Sequence, residues 1–302
     1  MRRGIVVGIA GQTLLLLLVW CIRPGAGEER GPGRTVRIGL IGSLFRDTPE
    51  PVVQVMMRPF RSLLETQTGV CGDLIAAGDA DNLAQKLKND EVQLGVFHGI
   101  EFAWARQKFP RLRALVIAIN QHPFLRAEVI VQKDSPISSL ADLKGRIVAL
   151  DRRAREHCRL YLERRCVPPG ATPEKHFSRL ATPLNAEDSL DDLQEGTIQA
   201  AVVDATEFET YRQNHPVRAA RLRRLDQSEH FPCAVVAYYP GSVAGELLDR
   251  FRSGMIAAQE TARGKQLLSL CRITRFAEPQ ADFEEALNSI IKAYPPASPG
   301  SK

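Results

Sequence analysis

Seven short, mainly apolar runs recur along this chain, each six or seven residues long, and most are followed by a stretch with helical spacing. They are VRIGLI (36–41), VQLGVF (92–97), ALVIAI (114–119), EVIVQK (128–133), RIVALD (146–151), IQAAVVD (198–204) and CAVVAYY (233–239). Runs this short, rich in β-branched residues and without strict polar alternation, belong to strands covered on both faces. The intervening segments are helical in period. Residues 55–68 place Met56, Phe60, Leu63 and Leu64 on one face, 81–88 opens on Asp79 or Asp81, and 100–109, 152–165, 189–194, 205–213, 244–259 and 283–294 follow the same logic. Weaker strands are predicted at 73–76 and 177–182. Strands alternating with helices imply parallel βαβ units and an α/β fold with helices on both sides of the sheet.

Residues 128–151, EVIVQKDSPISSLADLKGRIVALD, compress that alternation most tightly. A strand, a compact helix capped by Ser138 or Ser139 and closed by Gly145, and a second strand is the expected reading. With 302 residues, one to two domains are expected, and two is the working division. Apolar residues at 44% and charged residues at 25% exclude disorder as the dominant state. The formal charge of +5, much of it arginine, suits anionic ligands, a membrane surface or nucleic acid without choosing among them.

The N-terminus reads as an export signal. Arg2 and Arg3 precede an apolar run over 5–22, and Ala26 and Gly27 supply the small residues a peptidase needs. An uncleaved anchor is the alternative. Trp20 argues against lipid modification of Cys21. Beyond residue 27 stand Cys71, Cys158, Cys166, Cys233 and Cys271, an odd number, so at least one thiol is unpaired. His157-Cys158 invites a nucleophile reading against the plainer one of a structural cysteine. His122, His157, His176, His215 and His230 form no metal-ligand spacing, no Gly-x-Gly-x-x-Gly is present, and no cofactor is expected.

VRIGLIGS, VQLGVFHGIEFAWA and above all EVIVQKDS followed by ISSLADLKG resemble the phosphate-, phosphite- and phosphonate-binding proteins of bacterial ABC importers, a branch of the periplasmic solute-binding proteins. The resemblance covers most of the chain beyond the leader. It implies the type 2 fold: two α/β lobes, each a mainly parallel sheet flanked by helices, with a hinged cleft between them. Residues 36–120 plus 233–295 would form lobe 1 and 121–232 lobe 2, with 1–27 a signal or anchor and 296–302 a disordered tail. A monomer in the periplasm is the family expectation, with an ABC permease or a membrane sensor as its partner and no role for nucleic acid.

Ligands of open parallel sheets sit beyond the carboxyl ends of strands, where helix N-termini present unpaired N–H groups. Here those ends are 42–46, 98–102, 151–155 and 204–207. The candidate ligand residues are Ser43, Arg46, His98, Gly99, Phe102, Arg152, Arg153 and Asp204. Each also has a plainer account: Arg46 as a solvated loop arginine, Gly99 as a strand end, Asp204 as a helix cap. Phe102 stands where the family commonly has a tyrosine. After RIVALD this chain has Arg152-Arg153-Ala154-Arg155 where phosphonate binders usually place Ser, Thr and Gly, which argues for an anion other than phosphonate. The three arginines are alternatively a surface stripe. The expected function is capture of a small anionic solute for an importer. A sensory or accessory binding module and an enzyme on the same scaffold are the alternatives.

Overall fold

The computed structural model describes residues 35–46, 50–270 and 272–296. The expected leader, Cys271 and all but the first residue of the expected tail lie outside them. No helix among the described residues is long and apolar enough to cross a membrane.

Chain order runs β1 (Val36–Leu40), α1 (Glu50–Thr68), β2 (Gly72–Ala76), α2 (Ala80–Lys88), β3 (Leu94–Phe97), α3 (Gly99–Lys108) and β4 (Arg113–Ile119). A two-residue strand, β5 (Phe124–Leu125), leads to β6 (Ala127–Gln132), β7 (Ile147–Leu150), α4 (Glu156–Arg164), α5 (Pro173–His176), β8 (Arg179–Ala181), α6 (Ala186–Glu195), β9 (Ala200–Asp204), α7 (Ala205–Asn214), α8 (Pro216–Ala219) and β10 (Leu222–Gln227). The chain then returns through β11 (Phe231–Pro232) to β12 (Ala234–Tyr238), α9 (Gly245–Ala257), α10 (Ala262–Leu270), β13 (Arg275–Ala277) and α11 (Ala281–Ala293).

Among the described residues these strands make a six-stranded sheet, β13-β4-β12-β3-β1-β2, a five-stranded sheet, β10-β6-β9-β7-β8, and a two-stranded ladder of β11 on β5. The fold is therefore a two-lobed α/β architecture. Each sheet is buried on both faces, as the unalternating runs require. Leu83, Phe97, Ile100 and Phe283 fill one side of the larger sheet, and Leu63, Leu64, Phe251 and Met255 the other. In the smaller sheet Val129, Tyr161 and Val202 oppose Ile130, Leu190 and Tyr211.

Two expectations need correction. The segment 128–151 is not a parallel βαβ unit, because β6 runs antiparallel to β9, which lies between it and β7. β12 is likewise reversed against both β3 and β4. A reversed strand covered on both faces has the same continuous apolar pattern as a parallel one, so the runs alone could not tell them apart. The helix between β6 and β7 is only a 3₁₀ turn, Leu140–Leu143. The Asp142 carboxylate accepts from the backbone N–H groups of Ser138 and Ser139, each at 2.9 Å, capping the start of the turn, and the chain leaves helical geometry at Lys144, where ψ is 128°. Gly145 follows at φ +70°, the left-handed position the chain needs to enter β7.

Two passages connect the sheets, 120–126 outward and 228–233 on the return. At the second, Gly99 admits no side chain: a Cβ there would stand 2.2 Å from the Pro232 carbonyl oxygen and 2.5 Å from that of Cys233. The start of α3 is thereby pressed onto the return passage.

Candidate functional site

The ends of β1 and β3 in the larger sheet face the ends of β7 and β9 in the smaller one, and the side chains between them are densely charged. Beyond β1 the chain makes a 3₁₀ turn, Gly42–Phe45, in which the Ser43 hydroxyl donates to Glu101 Oε2 at 2.6 Å. Burial pushes the Glu101 carboxyl up to about 7, and the nearby Glu156 carboxylate adds to the shift against the Ser43 bond. His98 ends β3 as the N-cap of α3. Its Nε2 is buried and has no hydrogen-bond partner. Burial holds its pKa down to about 4, with His157, Arg46 and Arg155 pushing the same way, so the ring is neutral at pH 7.

Across the cleft, Asp204 ends β9 with 2% exposure and caps α7, accepting from Thr206 N at 2.8 Å. Its other oxygen lies 3.1 Å from His157 Nε2 and 3.8 Å from Arg155 Nε. Burial raises its pKa, but His157 and Arg155 together outweigh that and hold the carboxyl well below the usual range. Asp151 ends β7, equally buried, and accepts from Arg153 N at 2.8 Å. Glu207, one turn into α7, is pushed up to about 7 by burial; Arg272 opposes this, and Asp204 and Asp151 reinforce it.

Several contacts cross from one lobe to the other. Arg46 pairs with Glu156 at 2.8 Å, and Arg272 pairs with Glu207. Arg272 Nη1 also donates to the Arg153 carbonyl at 3.2 Å, while Arg155 Nη2 donates to the Arg272 carbonyl at 3.4 Å.

Of the residues singled out from sequence, Ser43, Arg46, His98 and Asp204 converge here. Gly99 faces the return passage instead. Phe102 does not reach the cleft: it has no exposed surface and packs between Phe97 and Phe283, their ring centroids 6.0 and 6.5 Å away. Arg152 turns outward, its Nε donating to the Thr182 carbonyl at 3.2 Å, and Arg153 is exposed. The cause is Asp151. Its side chain holds Arg153 N and its carbonyl accepts from Ala154 N at 3.1 Å, forming a turn that delays α4 to Glu156, where a helix from 152 was expected. Arg155 is the arginine that reaches the cleft.

Sequence reasoning did not single out Glu101, Arg155, Glu156, His157, Glu207 or Arg272 as ligand residues. Glu101, Arg155 and Glu207 all lie inside the predicted strand-end segments, Glu101 in the first turn of the helix after His98. Nothing local marks Arg272.

His157 and Cys158 do not form a nucleophilic pair with Asp204. The thiol at 3.4 Å and the carboxylate at 3.1 Å both approach the same ring nitrogen, so no proton passes from one side of the imidazole to the other. Burial, then Asp204, push the thiol further up. Cys71, Cys158, Cys166 and Cys233 are all free, and no metal-holding group of His, Cys, Asp and Glu occurs among the described residues. A groove of about 510 Å³ lined by Glu128, Phe208, Arg212 and Arg224 lies outside the cleft, away from this charge cluster.

The family of periplasmic substrate-binding proteins of phosphonate ABC transporters matches this chain over residues 45–283. The chain belongs to that family. As a substrate-binding protein it shares its fold with several solved structures at low identity. A Xanthomonas citri protein bound to chloride ion matches at TM-score 0.58 and 16% identity, over 86% of this chain and 97% of that one. The binding-protein component of an ABC phosphonate transporter from Pseudomonas aeruginosa gives 0.53 and 16%, over 88% and 90%. PhnD1 from Prochlorococcus marinus in complex with methylphosphonate gives 0.55 and 15%, over 86% and 97%. No curated protein matches. Proteins of this family are periplasmic and deliver small anionic ligands to ABC permeases, and this chain is an importer's solute-binding protein.

Proposed function

We propose that the protein captures a small oxyanion-like solute in the periplasm, between lobe 1 (36–120 with 233–295) and lobe 2 (121–232), and presents it as a closed monomer to its permease. It acts by binding, without covalent chemistry and without nucleic acid. The observation that carries this reading is the convergence of three guanidinium groups, Arg46, Arg155 and Arg272, from both lobes at the strand ends. Planar guanidinium forks suit a multi-oxygen anion, and a ligand bridging both lobes favours the closed form by its differential contacts. The absent hydroxyl cradle shifts the expected ligand from phosphonate towards sulfate, sulfonate, phosphate or carboxylate. Isothermal titration with those anions and methylphosphonate tests it. At least one should bind, and Arg272→Ala should abolish the heat. Silence from the whole panel would overturn the proposal.

A further inference from the structure

The crevice does not offer its arginines free. Arg46 is held by Glu156 and Arg272 by Glu207, each carboxylate coming from the opposite lobe. Arg272 moreover sits at φ 56°, in the left-handed region that residues other than glycine rarely occupy. An anion arriving here meets guanidiniums already bonded to the protein's own anions.

We propose that the solute binds by exchange, taking the places of Glu156 on Arg46 and Glu207 on Arg272, and that the released Glu207 takes up a proton from solvent. This rests on the anion reading above. The balance is one anion and one proton entering together: an O–H bond forms on the Glu207 carboxylate, and the one that breaks belongs to hydronium or the buffer acid. Glu207 is the group that takes the proton because of what faces it. Arg272 reaches it from lobe 1, Asp204 heads its own helix, Asp151 ends β7, and Arg155 stands before α4. Once Arg272 turns to the solute, two carboxylates and a new anion surround Glu207, with Arg155 the cation remaining. Burial and those carboxylates already place it at about 7.

Glu156 sits differently. It faces Arg46 from lobe 1 and Glu101 on α3, with Glu163 and Arg164 further along its own helix. Glu101 in turn faces Ser43, Arg46, Glu156 and Asp79. Glu156 and Glu207 are thus specificity residues: they exclude any solute that competes for guanidinium less well than a carboxylate does.

The sign follows from linkage. Below the free-state pKa Glu207 is already protonated and binding takes up nothing. Above it each anion brings one proton, so affinity falls by about tenfold per pH unit until the bound-state pKa is reached. Titration calorimetry with sulfate and methanesulfonate, whose charge is constant over this range, reads this directly, whereas phosphate and methylphosphonate titrate within it and serve only to show which anions bind. Two buffers of different ionisation enthalpy count the protons in the unaltered protein. Glu207→Gln should bind more tightly than wild type at pH 8, by up to about tenfold, and converge with it near pH 6. Glu156→Gln should tighten binding at both. If anions bind the wild type with the same affinity from pH 6 to 8, take up no protons, and bind Glu207→Gln no better, the exchange is wrong while the anion reading stands. If no anion binds wild type or either variant, the anion reading itself falls and takes the exchange with it.

Discussion

The two walls of the cleft carry opposite charge. Lobe 1 contributes Arg46 and Arg272, with one carboxyl, Glu101, that burial and Glu156 favour in its neutral form. Lobe 2 contributes Asp151, Glu156, Asp204 and Glu207, with Arg155 standing 3.8 Å from Asp204 and also acting on Glu207. Opposed walls of this kind attract each other without a solute between them. A cleft lined by one sign would instead stay open until a counter-charged ligand arrived. Within lobe 2 the difference is sharper still. Asp204 is held ionised by neighbours in its own lobe, whereas Glu156 and Glu207 depend on partners from across the gap. The first is a structural charge, the other two are exchangeable.

The largest effect expected from breaking this division is at Asp204. Removing it by Asp204→Ala uncaps α7 and takes from His157 and Arg155 the buried carboxylate they both approach. Removing one partner of a buried pair costs about 3–5 kcal/mol, and losing a cap adds about 1. Urea unfolding should show a loss of that order, with Asp204→Asn, which can still cap, losing less. An Asp204→Ala protein as stable as wild type would mean that this charge is exchangeable like the others.

Glu101 tests the other wall. A carboxyl raised from 4.5 to about 7 makes the native protein bind more protons than the unfolded chain between those pH values. Its contribution to stability is therefore fully present below about pH 4.5 and lost as pH rises through 7, a difference of roughly 3 kcal/mol. Glu101→Gln keeps an acceptor for the Ser43 hydroxyl and cannot ionise. It should match wild type near pH 4.5 and exceed it at pH 8, by up to roughly 3 kcal/mol in urea midpoints converted to free energy. His98 has the opposite dependence, because its depressed pKa withdraws stability as pH falls from 6.5 towards 4, so the variant must be compared with wild type at each pH. An equal difference at both pH values would show that Glu101 titrates in the folded protein as it does in the unfolded chain.

How much of this was legible beforehand divides along the same line between core and cleft. The strands at 114–119 and 198–204, the second found at Ala200–Asp204, and an Asp79 or Asp81 opening of α2, capped in fact by Asp79, were readable because burial and capping are local demands that each leave a mark in the sequence. β10 was not predicted. It is an edge strand carrying Arg223 and Arg224, and a half-exposed edge has no apolar run to announce it. The direction of β6 was invisible for the reason that pairing partners are not encoded in a strand's own polarity. In the cleft, Ser43, His98 and Asp204 could be named because they sit at strand ends. Arg272 could not, since its role depends on a fold that brings residue 272 to residue 207. Arg152 and Arg153 misled because a turn set by Asp151 decides which of three consecutive guanidiniums faces inward.

The smallest expected effect separates the exchangeable charges from the structural one. Arg46 is half-exposed, its side chain at 49%, against 11% for Glu156. A pair with that much solvent contact contributes about 0–1 kcal/mol, and salt screens it. Arg46→Ala should therefore change folding stability by less than about 1 kcal/mol, and a double-mutant cycle with Glu156→Gln should return a coupling of the same size. The cycle is needed because either substitution alone also removes contacts outside the pair. Raising ionic strength should shrink the coupling further, while the Asp204 loss should barely respond to salt. Small-angle scattering on Arg46→Ala should show a more open average shape, since a weak bond between lobes shifts their equilibrium even where it adds little to the fold. A coupling above about 2 kcal/mol, insensitive to salt, would mean that Glu156 cannot be displaced by a dilute anion, and that the two walls are fastened together instead of waiting for a solute.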